Sequence, residues 1–221
     1  MERYSIEPAK LSLERFFELT RSKKLIPSRI ELHQKTGERS RLLAGLGIEN
    51  LAQLTGALGN KRKIQQVASS TGIPVEILVL LKREAGSYMA KPFPLSDFPG
   101  IPYEFTEVLK SRGIRNTRDF FENVQSNAQR REVSTMTGIP ESRLLEIYSL
   151  CDLSRITGVG GLYARIIYEA GIRSTLDFAN TSAEVHHEKY LAVIEKSGYP
   201  AKPLSEDDIR YCMDYAKVIL E

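Results

Sequence analysis

Thr71-Gly72-Ile73-Pro74, Thr137-Gly138-Ile139-Pro140 and Ser197-Gly198-Tyr199-Pro200 are three copies of one signature in a chain of 221 residues. In the first two copies it follows, 25 residues on, a Gly-Ile pair that closes a helical apolar pattern: Gly47-Ile48 before Gly72-Ile73, and Gly113-Ile114 before Gly138-Ile139. Gly171-Ile172 precedes Gly198-Tyr199 by 27, a two-residue insertion. Recurrence at a period near sixty residues marks a small block that needs its neighbours to bury a core, so the chain reads as an array.

A shift of 58 superposes Leu95-Ser96 on Leu153-Ser154, Gly100 on Gly158, Val108-Leu109 on Ile166-Ile167, Gly113-Ile114 on Gly171-Ile172, and Thr117, Asp119 and Phe120 on Thr175, Asp177 and Phe178. The first unit aligns at a shift of 66, with Asn50 on Asn116, Leu54 on Phe120 and Leu78 on Leu144. There Gln34 stands where the others have Gly100 and Gly158, and Gly37 offers a displaced turn.

Helical spacing dominates and sustained alternation of apolar and polar residues is absent, which predicts an all-α fold. Tyr163, Ile166, Ile167 and Ala170 occupy one helix face that Gly171 ends as a left-handed cap. Asn116 or Ser174 then caps a short second helix running through Phe120 or Phe178. In the Thr-Gly-Ile-Pro signature glycine closes one helix, isoleucine fills the gap, and proline opens the next helix at its first position. Both chain ends read as capping helices: an amphipathic stretch from Leu11 to about Lys35, and a C-terminal helix from Ser205 with Asp208 in the capping-box position. Three units follow: residues 1–90, a capping helix plus a degenerate repeat; 91–151; and 152–221 with the C-terminal cap. Gly86 to Phe98, with Pro92 and Pro94, is the best linker.

Leu153-Ser154-Arg155-Ile156-Thr157-Gly158-Val159-Gly160-Gly161, followed by Tyr163-Ala164 and Glu169-Ala170-Gly171-Ile172, resembles a helix-hairpin-helix motif. The two-turn unit with its Thr-Gly-Ile-Pro second turn is similar to the bacterial family called domain of unknown function 4332. The resemblance implies tandem helix-hairpin-helix (SAM-like) repeats, whose hairpins in related proteins grip a sugar-phosphate backbone without reading sequence. On that reading the contacts are Arg155, Thr157, Gly158, Val159, Gly160, Gly161 and Arg165. Gly100 and Ile101 form a lesser site, because Pro102 replaces the second glycine and removes an N–H donor. Glycines let the backbone turn with its amides outward while the following helix aims its positive end at the same place. The simpler reading makes most of the glycines helix caps and Val159 an interhelical plug.

Charge runs against this placement. Residues 1–90 hold 15 Lys and Arg against 9 Asp and Glu, whereas residues 152–221 hold 8 against 11. The best hairpin therefore lies in the acidic unit, and the densest basic cluster, Lys61-Arg62-Lys63, lies in the unit whose hairpin has decayed. A solvated helix face is the plainer account of that cluster.

No P-loop, nucleophile elbow or metal-ligand spacing is present, and His33, His186 and His187 read as exposed surface residues. We therefore expect a non-enzymatic protein with no cofactor, metal or small-molecule substrate, binding either a nucleic-acid backbone or a protein partner. Cys151 and Cys212 sit in apolar helical patterns and read as reduced core thiols. No membrane-length apolar run and no secretory leader are evident, which makes a cytoplasmic protein the expectation.

Overall fold

A computed structural model describes residues 2–221 of the chain. It is all-α: among the described residues there is no strand, only one isolated antiparallel bridge between Ser12 and Asn50. Among the described residues no single helix is long and apolar enough to cross a membrane. The chain divides into two compact units, residues 6–89 and residues 1–5 together with 90–221.

The smaller unit contains α1 (Leu13–Ser22), a 3-10 turn (Pro27–His33), α2 (Thr36–Ala44), α3 (Leu51–Ala57), α4 (Lys61–Thr71) and α5 (Val75–Gly86). Its centre is a charged cluster rather than an apolar one alone. Glu84, fully buried, is ion-paired with Lys23 and with Arg29 at 2.8 Å, and Lys23 also donates to the Tyr88 hydroxyl at 2.5 Å.

The larger unit begins with a 3-10 turn (Leu95–Asp97) and continues through α6 (Tyr103–Ser111), α7 (Thr117–Asn123), α8 (Asn127–Thr137), α9 (Glu141–Leu153), α10 (Gly161–Glu169), α11 (Thr175–Asn180), α12 (Ala183–Ser197) and α13 (Glu206–Leu220). Helix α9 is the axis. It packs against α7, α8, α10 and α11 and is buried on most of its circumference, including Glu146, Ser149 and Asp152. A helix buried on all sides carries little amphipathic signal, so polar residues in it must find partners inside.

Three families of left-handed residues recur through the two units. Gly47, Gly113 and Gly171 have φ of 77, 85 and 87°, and Gly72, Gly138 and Gly198 have 72, 73 and 67°. The third family is Gly100 at 79° and Gly158 at 89°, each two residues before the N-cap of a helix; Lys35, at 50°, stands one residue beyond the position matched by sequence and is itself the N-cap of α2. Sequence placed a shifted turn at Gly37; that residue instead lies inside α2, and Lys35 is the only non-glycine with positive φ among the described residues. The entry to α2 is thus left-handed at a residue that bears the steric cost of a Cβ there.

The Thr-Gly-Ile-Pro turns are held by their threonines. The hydroxyl of Thr71 donates to the Val67 carbonyl at 2.7 Å and accepts from the Ile73 amide at 3.2 Å, and Thr137 does the same with Val133 and Ile139. Pro74 and Pro140 sit at the N-cap rather than at the first helical position. In the third copy Pro200 opens nothing: α13 starts later, from a Ser205–Asp208 capping box.

The amino end is part of the larger unit. Tyr4 is fully buried, its hydroxyl 2.8 Å from Thr117 Oγ1 and 3.2 Å from Ser154 Oγ, and its ring packs edge-on to Phe121. Cys151 and Cys212 are free, buried thiols, and burial pushes both up, Cys212 to about 12. The histidines are not the exposed residues expected. His186 is 3% exposed, its ring tilted against Phe178 with centroids 4.3 Å apart and Nε2 2.9 Å from the Phe178 carbonyl, and burial lowers its pKa. His33 and His187 are half-buried.

Replacing Lys35 with glycine removes a strained Cβ without touching a core contact. Chemical denaturation should show the smaller unit stabilised by about 1 kcal/mol in Lys35→Gly; an unchanged or lowered midpoint would contradict the strain.

Candidate nucleic-acid interface

The hairpin between α9 and α10 is built by its own glycines. Gly158 is left-handed and exposed, and a Cβ on it would lie 3.0 Å from Cys212 Sγ. Val159 is buried as the plug that the sequence suggested, with its amide donating to the Ile156 carbonyl at 3.0 Å. Gly160 is exposed and caps α10 with φ −85° and ψ −178°. The amides of the first turn of a helix have no intrahelical acceptor, so they remain available at this hairpin.

Gly161 has a different reason to be glycine. A Cβ there would overlap the carbonyl group of Asp97, coming within 2.9 Å of its carbon. The start of α10 therefore lies directly on the backbone that leads into the Gly100 hairpin. The doubled glycine, which exceeds what a cap requires, is accounted for by this close approach rather than by an anion.

The arginines lie elsewhere than the motif implies. Arg155 is 4% exposed, ion-paired with Asp152 at 2.7 Å and Glu2 at 3.1 Å, and its guanidinium lies 4.4 Å from the Phe121 ring centroid. Burial pushes the Asp152 carboxyl up, opposed by Arg155 and by hydrogen bonds from Thr175. Arg165 is 5% exposed and turns toward the other hairpin: Nε donates to the Pro99 carbonyl at 2.7 Å and Nη1 to Glu146 at 2.5 Å. Its Nη2 has no hydrogen-bond partner and lies 3.5 Å from where a Cβ on Gly100 would stand. Neither arginine offers its charge at the surface of the Gly158 hairpin. Arg173 is exposed and lies over the Tyr168 ring at 3.7 Å.

The Gly100 hairpin is the one with cations. Arg143, partly exposed, donates to the Gly100 carbonyl at 2.9 Å and pairs with Glu146, which also holds Arg165. Ile101 is half-buried and packs against the core, and Thr157 is likewise half-buried. Sequence reasoning missed Arg143, because nothing in its own helix marks a side chain that reaches 43 residues back along the chain. In the smaller unit Lys61, Arg62 and Lys63 are exposed; Lys63 donates to the Gly56 carbonyl in the last turn of α3, and Lys82 to the Gly59 carbonyl of the loop that follows.

A family model described as "Domain of unknown function (DUF4332)" matches residues 99–217. That span is more than half of the chain and includes both hairpins, and the chain belongs to this family. No curated protein and no solved structure matches it.

The two neighbouring glycines make opposite predictions. Gly161→Ala drives a methyl into backbone and should cost about 1–3 kcal/mol in a denaturation experiment. Gly160→Pro should cost less than Gly161→Ala, because its φ is close to that of proline and the 58-residue repeat places Pro102 at the same point. Equal losses would refute this assignment.

Proposed function

We propose that this member of the DUF4332 family is a non-enzymatic, sequence-independent nucleic-acid-binding protein of the cytoplasm, built on tandem helix-hairpin-helix repeats with a capping helix at each end. The observation that carries the reading is the left-handed glycine that recurs at Gly100 and Gly158, each two residues before the N-cap of a helix, whose first amides lack intrahelical acceptors. In this reading main-chain N–H groups of Gly158 and Gly160, and of the Gly100 turn, meet phosphate oxygens. Arg155 and Arg165 act from inside, as the braces that hold the hairpins in shape. Backbone amides carry no base information, which accords with binding that ignores sequence.

A second reading, a protein-interaction scaffold, is favoured by charge. Residues 1–5 and 90–221 hold 17 Lys and Arg against 20 Asp and Glu, while residues 6–89 hold 14 against 8. An acidic hairpin unit draws polyanions weakly, whereas it would suit a basic protein surface.

Fluorescence anisotropy of labelled nucleic acid at several salt concentrations separates the two. Two to four phosphate contacts predict a log-log salt slope of roughly −2 to −4, with affinity reduced in folded Gly160→Pro, which lacks one amide donor. No binding at low salt, or a slope near zero, would leave the scaffold as the function.

A further inference from the structure

Among the described residues Tyr103 is the most exposed of the large apolar or aromatic side chains, at 71%. It occupies the first position of α6, three residues after left-handed Gly100, and follows Pro102, whose ring fixes the approach. The Thr106 hydroxyl donates to its main-chain carbonyl at 2.7 Å, but among the described residues no hydrogen bond, ion pair or ring contact engages its side chain, so the exposure is not the by-product of an anchor elsewhere. Nor does the turn require it: the 58-residue repeat places Gly161 at the same position of α10. A bulky ring displayed at the mouth of a hairpin, on a site where the fold accepts glycine, calls for a ligand with a flat face.

The charge beneath the same hairpin says what else that ligand carries. Arg143 and Arg165 share the single carboxylate of Glu146, and Arg165 Nη2, buried and unpartnered, lies under Gly100. This leaves one positive charge in surplus below the turn, next to the positive end of α6. Glu104, the acid of that first turn, offsets part of it. Attraction for a phosphate is therefore modest, and a second contact has to supply affinity.

We propose that the Gly100 hairpin binds a single-stranded nucleic acid, with one phosphate against the turn and Arg143 and the adjoining base stacked on Tyr103. In a duplex the base faces are covered by neighbouring pairs, so only an unpaired nucleotide can present phosphate and ring face together. Base stacking on an aromatic tolerates any sequence, in keeping with the amide contacts. The inference rests on the nucleic-acid reading above and narrows it to strands with unpaired bases.

The test uses the full chain and anisotropy with four labelled probes: a single-stranded oligodeoxynucleotide, the matching oligoribonucleotide, the duplex, and an abasic strand of equal length. The single strands should bind more tightly than duplex or abasic strand. Tyr103→Ala should weaken single-strand binding roughly 5- to 150-fold, leave the abasic strand unaffected, and be rescued by Tyr103→Phe; circular dichroism checks that the variants fold. Single-strand binding that is indifferent to Tyr103→Ala overturns this inference and leaves the hairpin reading standing. Failure of every probe to bind overturns both.

Discussion

The ion pair between Glu146 and Arg165 is the contact on which the hairpin end of the larger unit depends. Glu146 lies on α9, the helix buried on most of its surface, and is itself about nine-tenths buried, so its charge needs a partner inside the protein. Arg165 meets it from α10 and, with the same guanidinium, holds the Pro99 carbonyl of the preceding hairpin. Helix α9, the Gly158 hairpin and the Gly100 hairpin are thus tied by one side chain. The approach of the Asp97 backbone to Gly161 completes the junction, since only glycine lets the two chains come so near. Once the junction is set, Arg143 can reach the Gly100 carbonyl and the position of Tyr103 follows.

That arrangement separates framework from contact. The cations that a sequence reading assigns to ligand binding are consumed internally, Arg155 by Asp152 and Glu2, Arg165 by Glu146 and a main-chain carbonyl. At the Gly158 hairpin what reaches the surface is backbone, exposed Gly158 and Gly160, whereas the Gly100 hairpin adds the Tyr103 ring and the partly exposed Arg143 to its exposed glycine. A surface of this kind is defined by geometry more than by charge, which fits an acidic unit better than a cationic clamp would. The amino-terminal residues serve the same framework, because Tyr4 fills a site bounded by Thr117, Ser154 and Phe121, and Glu2 closes the Arg155 pair.

Much of the fold could be read from residues because its turns impose local demands. A left-handed backbone selects glycine, a helix start selects Asn50, Asn116 or Ser174, and both are written at the place where they act. The exceptions are instructive. Lys35 holds a left-handed turn that no glycine announces, and Gly161 is a glycine for the sake of a chain segment more than sixty residues away. Arg165 serving the Gly100 hairpin, Arg143 reaching Gly100 and Tyr4 reaching Ser154 are contacts between distant segments, and such pairs leave no periodicity in either partner. The burial of His186 is a nearer case: Phe178 is only eight residues back, but it lies on α11 and His186 on α12, so the pattern of neither helix alone shows the contact.

The most direct test is a double-mutant cycle on Arg165 and Glu146, measured by chemical denaturation. Glu146→Leu should destabilise the larger unit by about 3–5 kcal/mol, because it strands the buried Arg165, and Arg165→Met by less, because Arg143 still pairs with Glu146; the double variant should lose clearly less than the sum of the two. Additive losses would show that the two side chains act independently and that the hairpins are not held by this pair.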